Sequence, residues 1–260
     1  MRSILVHADR GAGMACRLET ALSLARAVAG HVTVLIDTPV TRYVAMDPMG
    51  GSFVASDALK QALADDDAHA ARIEERLKNE DVAFDIVRTE AEPVEALARA
   101  ARLADVIVLS RSSGLAGELA LACRTPILAL RDDAGLNLPL SKACIAWDGG
   151  DESAVALRSA IPLLTSCASV EVLTVHEKPG GFPGTQAMRY LSRHGINADL
   201  KELAREGSTE ETLAQAVAQS GAELLVMGAY GKSRMREFLF GGVTLYFLED
   251  SDGPALLMAH

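Results

Sequence analysis

Three observations predict an α/β fold of two tandem units, each a parallel sheet covered by helices on both faces. Short apolar runs alternate with segments of helical period along the whole chain, the pattern of βαβ crossovers. The runs recur in the same order in the two halves. The chain has 260 residues, enough for two domains of roughly 130.

The elements follow in order. Residues 3–9 (SILVHAD) form a short apolar run that ends in a polar turn, a buried strand. Residues 16–29 carry Leu18, Ala21, Leu22, Ala25 and Val28 on one helical face, with Gly30 placed to cap it. Residues 32–37 (VTVLID) are strand, 40–56 have no clear period and read as a loop, and 57–81 read as a long exposed helix. A strand at 83–88, a helix at 92–104, a strand at 105–110, a short connection and a strand at 126–130 complete the first half. Residues 131–141 (RDDAGLNLPLS) break the pattern with charge, Gly, Asn and Pro and read as a linker.

The second half repeats the first. Segment 143–148 (ACIAWD) matches 4–9 (ILVHAD) at an offset of 139, and 170–173 (VEVL) matches 32–35 (VTVL) at 138. Segment 222–227 (AELLVM) matches 104–109 (ADVIVL) at 118, and 253–257 (GPALL) matches 125–129 (TPILA) at 128. The offset changes inside loops only. The second half lacks about twenty residues of the loop and helix at 40–81. It gains about ten between its fourth and fifth strands, where it reads GAYGKSRMREFLFGG against SRSSGLAGELALAC.

Composition narrows the function. The net charge is −10 and the pI about 5.1, opposite to the sign a non-specific nucleic-acid binder needs. No apolar run reaches the roughly 20 residues that span a bilayer. The start lacks a signal-peptide pattern, and Cys16, Cys123, Cys144 and Cys167 stand far apart with no CxxC pair. These features predict reduced thiols and a cytoplasmic protein without nucleic-acid or membrane partners.

The chemistry concentrates in the gained loop. Gly228, Gly231, Gly241 and Gly242 punctuate it, followed by Val243 and Thr244. Glycines allow a backbone to approach a ligand closely, and a helix starting near Val243 would point free N–H groups and its positive dipole end at an anion. Lys232, Arg234 and Arg236 add local positive charge to an acidic chain, which suits a specific anion such as phosphate; a solvated mobile loop is the plainer alternative. Gly231-Lys232-Ser233 ends like a P-loop, but the first glycine would fall at Val226 inside the strand. Gly11, Gly13 and Cys16, with Asp37 beyond, approach a dinucleotide fingerprint, but Asp9 and Arg10 separate Gly11 from the strand.

The spacing G-x2-G-x9-G followed by a small residue, between the fourth and fifth strands, resembles the ATP-binding motif of the universal stress proteins. The chain as a whole resembles a tandem member of that family, with units at 1–139 and 140–260. The resemblance implies an adenine-nucleotide-hydrolase-like doubly wound fold: two five-stranded parallel sheets of order 3-2-1-4-5, dimerising through the last strand. It also implies a nucleoside contact at Ala146, Trp147 and Asp148, an adenine contact at Val175, and strand-end contacts at Met227 and Gly228. Gly231, Gly241, Gly242, Val243 and Thr244 would form the phosphate turn. Gly242 departs from the family, whose commonest motif has Ser or Thr there; the missing hydroxyl removes one phosphate hydrogen bond worth about 1–3 kcal/mol. The first half keeps Asp9 but replaces the loop with the connection holding Ser110 and Ser113, so it is expected to bind no ATP in the family's manner.

The expectation is therefore one adenine-nucleotide site per chain, in the second unit, taking ATP with or without Mg, or AMP or ADP. It would serve a binding and regulatory role rather than catalysis. A slow ATPase and a scaffold without nucleotide are the alternatives, and a homodimer and a protein partner fit the first reading. Trp147, the only tryptophan, is expected to respond to nucleotide beside Asp148. Asp148 has a plainer reading as a cap for the helix starting near Asp151. Ser208 and Glu211 fit a capping box. The six histidines (His7, His31, His69, His176, His194, His260) show no metal-ligand spacing. The stretch 46–51 reads as a surface loop or lid, and Asp65, Asp66 and Asp67 as a solvated face.

Overall fold

The computed structural model describes residues 1–46, 52–175, 182–230 and 242–260. Its first half runs β1 (Ser3–His7), α1 (Met14–Val28), β2 (His31–Asp37), β3 (Val44–Met46), β4 (Ser52–Val54), α2 (Ser56–Leu77), β5 (Ala83–Thr89), α3 (Pro93–Ala100), β6 (Val106–Ser110), α4 (Leu115–Ala122) and β7 (Ile127–Leu130). The second runs β8 (Lys142–Ala146), α5 (Asp151–Leu164), β9 (Ser169–Val175), α6 (Gly184–Arg193), β10 (Ala198–Leu203), α7 (Thr209–Ser220), β11 (Leu224–Gly228), α8 (Gly242–Glu249) and β12 (Ala255–Ala259).

Each half is a parallel sheet of order 3-2-1-4-5, and the two meet in one ten-stranded sheet, β10-β9-β8-β11-β12-β7-β6-β1-β2-β5. The joint is the antiparallel pair of β7 and β12, with Leu128 opposite Leu257. The predicted pairing through the last strand thus occurs within one chain. Central strands are buried throughout, as in β6 (VIVLS) and β7 (ILAL), because helices cover both faces. The terminal strands β5 and β10 alternate between half-buried and exposed positions, since their outer neighbours are solvent. One apolar layer lies under α1, α2, α5 and α6, the other under α3, α4, α7 and α8.

Local chemistry explains several ends. Pro93 opens α3, where its missing N–H costs nothing. Ser208 and Glu211 form the predicted capping box of α7, and Gly221 ends that helix at φ 69°. Two readings of the sequence need correction. The span 40–56 holds a 3-10 turn at Val40–Tyr43 and the β3–β4 antiparallel pair besides loop. The connection 111–125 contains α4, whose sequence LAGELALA lacks a polar stripe because the helix packs against α3, α8 and the sheet at once.

Candidate functional site

The second half's strand order reverses direction between β8 and β11, the place where open α/β sheets take ligands beyond their carboxyl ends. Ala146 ends β8, Val175 ends β9 and Gly228 ends β11. Ala146, Val175 and Val243 pack, half-buried, on the apolar layer that contains Met227 and Phe247. The structure therefore gathers Ala146, Val175, Met227 and Val243 on the α7–α8 face of the sheet.

Trp147 belongs to the opposite face. Its side chain is buried in the layer under α5 and α6, and its Nε1 donates to the Phe182 carbonyl at 2.8 Å. The indole ties the end of β8 to the start of α6. Asp148 is exposed, and one carboxylate oxygen accepts from the Gly150 N–H at 2.8 Å, bracing the turn into α5. Gly150 is the N-cap of α5 and no side-chain cap bond is formed there, so Asp148 braces the preceding turn and does not cap the helix.

Gly228 also has a packing reason. A Cβ there would lie 2.6 Å from the Ser153 nitrogen and 2.7 Å from the Glu152 carbonyl carbon, so only glycine lets α5 start this close to β11. The helix α8 opens at exposed Gly242, with the Glu210 carboxylate 3.6 Å from where a Cβ would stand. An acid beside the positive end of a helix dipole is favourable in itself and competes with an incoming anion. Thr244 is buried, and its hydroxyl accepts from the Tyr230 N–H at 3.4 Å, tying the two ends of the Gly-rich segment together. Tyr230 adopts φ 59°, a left-handed conformation unusual for a non-glycine residue, and burial pushes its phenol up to about 12. Gly231, Lys232, Arg234, Arg236, Gly241 and His176 lie outside the described residues, as does most of 46–51.

The same place in the first half is filled from within. Arg17, 1% exposed, donates from Nε to the His7 carbonyl at 3.0 Å and from its two Nη atoms to Ser110 and Asp9. Its guanidinium thus bridges the ends of β1 and β6. At the 139-residue offset relating β1 to β8, Arg17 corresponds to Ala156, whose buried methyl carries no hydrogen-bonding group. His7 Nε2 pairs with Asp37 at 2.6 Å, and Asp37 stands where the second half has Val175. From α2, His69 lies against the backbone of Ala8 and Asp9; burial lowers its pKa, and the hydrogen bonds to that backbone offset part of this. Gly13 and Ser110 exchange roles with Glu152 and Gly228. Here the helix start is the glycine, and a Cβ on it would meet Ser110 Oγ at 2.5 Å. That close fit, with Asp37 committed to His7, removes the dinucleotide reading of Gly11, Gly13 and Cys16.

Sequence reasoning missed Arg17, which falls three residues after Met14 and four before Ala21 on the buried stripe of α1; a charge on that stripe was the available signal. The left-handed Tyr230 left no such trace. Among the described residues no group of three or more His, Cys, Asp or Glu side chains could hold a metal ion. A cavity of about 900 Å³ lies away from this site, between residues 134–139, α7 and α8, with Leu136, Ala218 and Phe247 in its walls. None of the helices in the described residues is long and apolar enough to cross a membrane.

The fold defines a class: a doubly wound α/β protein built of two units with the same strand order. Residues 140–258 match the model of the universal stress protein family. A universal stress protein from Archaeoglobus fulgidus DSM 4304 superposes with a TM-score of 0.75 at 11% identity, covering 99% of this chain and 96% of its own. A protein of Pseudomonas aeruginosa UCBPP-PA14, provisionally assigned to the same family, gives 0.63 at 16% identity over 100% and 93%. A functionally unknown protein from Pseudomonas aeruginosa PAO1 gives 0.62 at 15% over 100% and 92%. At these identities the likeness shows that the fold extends over both halves. Comparison with curated proteins gives no match.

Proposed function

We propose that this chain is a tandem universal stress protein that binds one adenine nucleotide, in its second unit, and acts as a regulatory binding module. The observation that carries the reading is the asymmetry of two equivalent crevices. Arg17, His7, Asp37 and His69 crowd the strand ends of the first, whereas the second has Ala156 in place of Arg17, Val175 in place of Asp37 and Gly228 in place of Ser110. Unit boundaries near 139 and 140 follow from the offsets between the halves.

In this reading the adenine lies against Ala146, Val175 and Met227, the ribose reaches Asp148, and the phosphates meet the amides of Gly242 and Val243. Gly231 and Gly241 complete the phosphate turn, and Thr244 holds its closing end. Mg accompanies ATP where the phosphates remain solvated, and AMP or ADP fits the same base site. Binding at the start of α8 biases a surface offered to a protein partner. A cytoplasmic setting suits the four free cysteines. Mass spectrometry of small molecules released by denaturing the purified protein tests this: co-purified ATP supports it, AMP or ADP favours slow hydrolysis, and no nucleotide after incubation with millimolar ATP refutes it.

A further inference from the structure

Three arginines of the first half end on backbone carbonyls of the second. Arg111 donates to the Asp250 and Pro254 carbonyls, Arg131 to Asp252 at 3.0 Å, and Arg124 to His260 at 3.2 Å. Arg111 is the buried one, 8% exposed, in the 3-10 turn after β6. Its acceptors enclose the turn leaving α8, which also closes on itself: the Asp250 carboxylate accepts from the Asp252 and Gly253 N–H groups at 3.0 and 3.2 Å. A guanidinium taken out of water needs hydrogen-bond acceptors, and both Nη atoms of this one find theirs at the far end of the helix whose start is the proposed anion site, while its buried Nε has no partner.

We propose that Arg111 is a positioning residue for the nucleotide site of the second unit. This rests on the reading above. The helix α8 has eight residues, so it is a rod of about 12 Å. Fixing its C-terminal end fixes the direction in which the amides of Gly242 and Val243 point. The charges agree as well: a cation at the C-terminal end and a phosphate at the N-terminal end both suit the helix dipole. The arrangement runs one way. At the 118-residue offset relating β6 to β11, Arg111 corresponds to Ala229, which has no donor to return the contact to α4. The first unit, which has lost its own crevice to Arg17, thus holds the second unit's helix in place.

Hydrogen exchange read by mass spectrometry tests the proposal on the full chain. In Arg111→Met without nucleotide, amides of 242–250 should exchange about 10-fold faster while α5 stays unchanged, and Arg111→Lys should fall between. The ATP Kd of Arg111→Met should rise about 10-fold. By reciprocity, ATP added to the wild-type protein should slow exchange at 110–114, in the other unit, as well as in α8. The last measurement needs no variant, so it decides even if Arg111→Met fails to fold. Unchanged α8 exchange in a folded Arg111→Met, or ATP protection that stops short of 110–114, overturns the proposal. Failure of the wild-type protein to bind ATP refutes the site itself, while exchange in the nucleotide-free variant still decides whether Arg111 holds α8.

Discussion

Replacing Arg17 by Ala gives the first half the residue that the second half has at Ala156. The guanidinium is 1% exposed and serves three acceptors at once: the His7 carbonyl, Ser110 Oγ and Asp9 Oδ1. Removing one partner of a buried ion pair costs about 3–5 kcal/mol, because the other is left in a poorly solvated place. The Asp9 side chain is 32% exposed, so water recovers part of that loss and the expected cost is about 3 kcal/mol. The assay is equilibrium urea unfolding, followed by far-ultraviolet circular dichroism for the whole chain and by Trp147 emission for the second half. If the two halves unfold together through their shared sheet, both probes move to lower urea by the same amount. In Arg17→Ala with Asp9→Asn, no carboxylate is left without its partner, and the pair should cost about 1 kcal/mol less than the sum of the single changes. Stability of Arg17→Ala within about 0.5 kcal/mol of wild type would refute the claim that the guanidinium bridges β1 and β6.

Other outcomes follow from the same geometry. Gly242→Ser should be tolerated, since among the described residues the nearest atom to its Cβ is Glu210 Oε1 at 3.6 Å, and should tighten ATP binding about 10-fold by restoring the hydroxyl; calorimetric titration reads both. Glu210→Gln should also tighten ATP, with the gain largest at low salt, because a charge that repels phosphate is removed. Burial pushes the Glu171 carboxyl up, but hydrogen bonds from Lys142 and Lys201 outweigh this and hold it below the usual carboxylate range. A depressed value stabilises the fold above the unfolded pKa, about 4.3, and the contribution fades as pH falls through the lower folded value. The stability gap between wild type and Glu171→Gln, measured by urea unfolding from pH 7 to 3, should therefore close below about pH 4; a gap independent of pH would contradict the ion pairs. Ser208→Ala should cost about 1 kcal/mol through loss of the α7 cap, seen as a lower thermal midpoint.

Strand runs and their offsets were legible because a buried parallel strand carries an unbroken apolar sequence. The offset of 139 between 4–9 and 143–148 reappears as β1 at Ser3 and β8 at Lys142. The helix α4 was not legible, since it is enclosed on several sides and shows no polar face. At the site, strand-end positions such as Val175 and Gly228 followed from register. Side-chain direction did not: Trp147 adjoins Asp148 in sequence, yet its indole serves the α5–α6 face. The networks of Arg17 and Arg111 join residues far apart in the chain, and Arg111 is 139 positions from Asp250, so no local pattern announces them.

The central claim is a single nucleotide site per chain. Calorimetric titration of the purified full-length chain with ATP, repeated on Arg17→Ala, tests it most directly. One ATP per chain is expected in both proteins, because Arg17 is one of several groups at the first unit's strand ends and His7 paired with Asp37 remains there after it is removed. Two ATP per wild-type chain, or none at millimolar ATP, would contradict it.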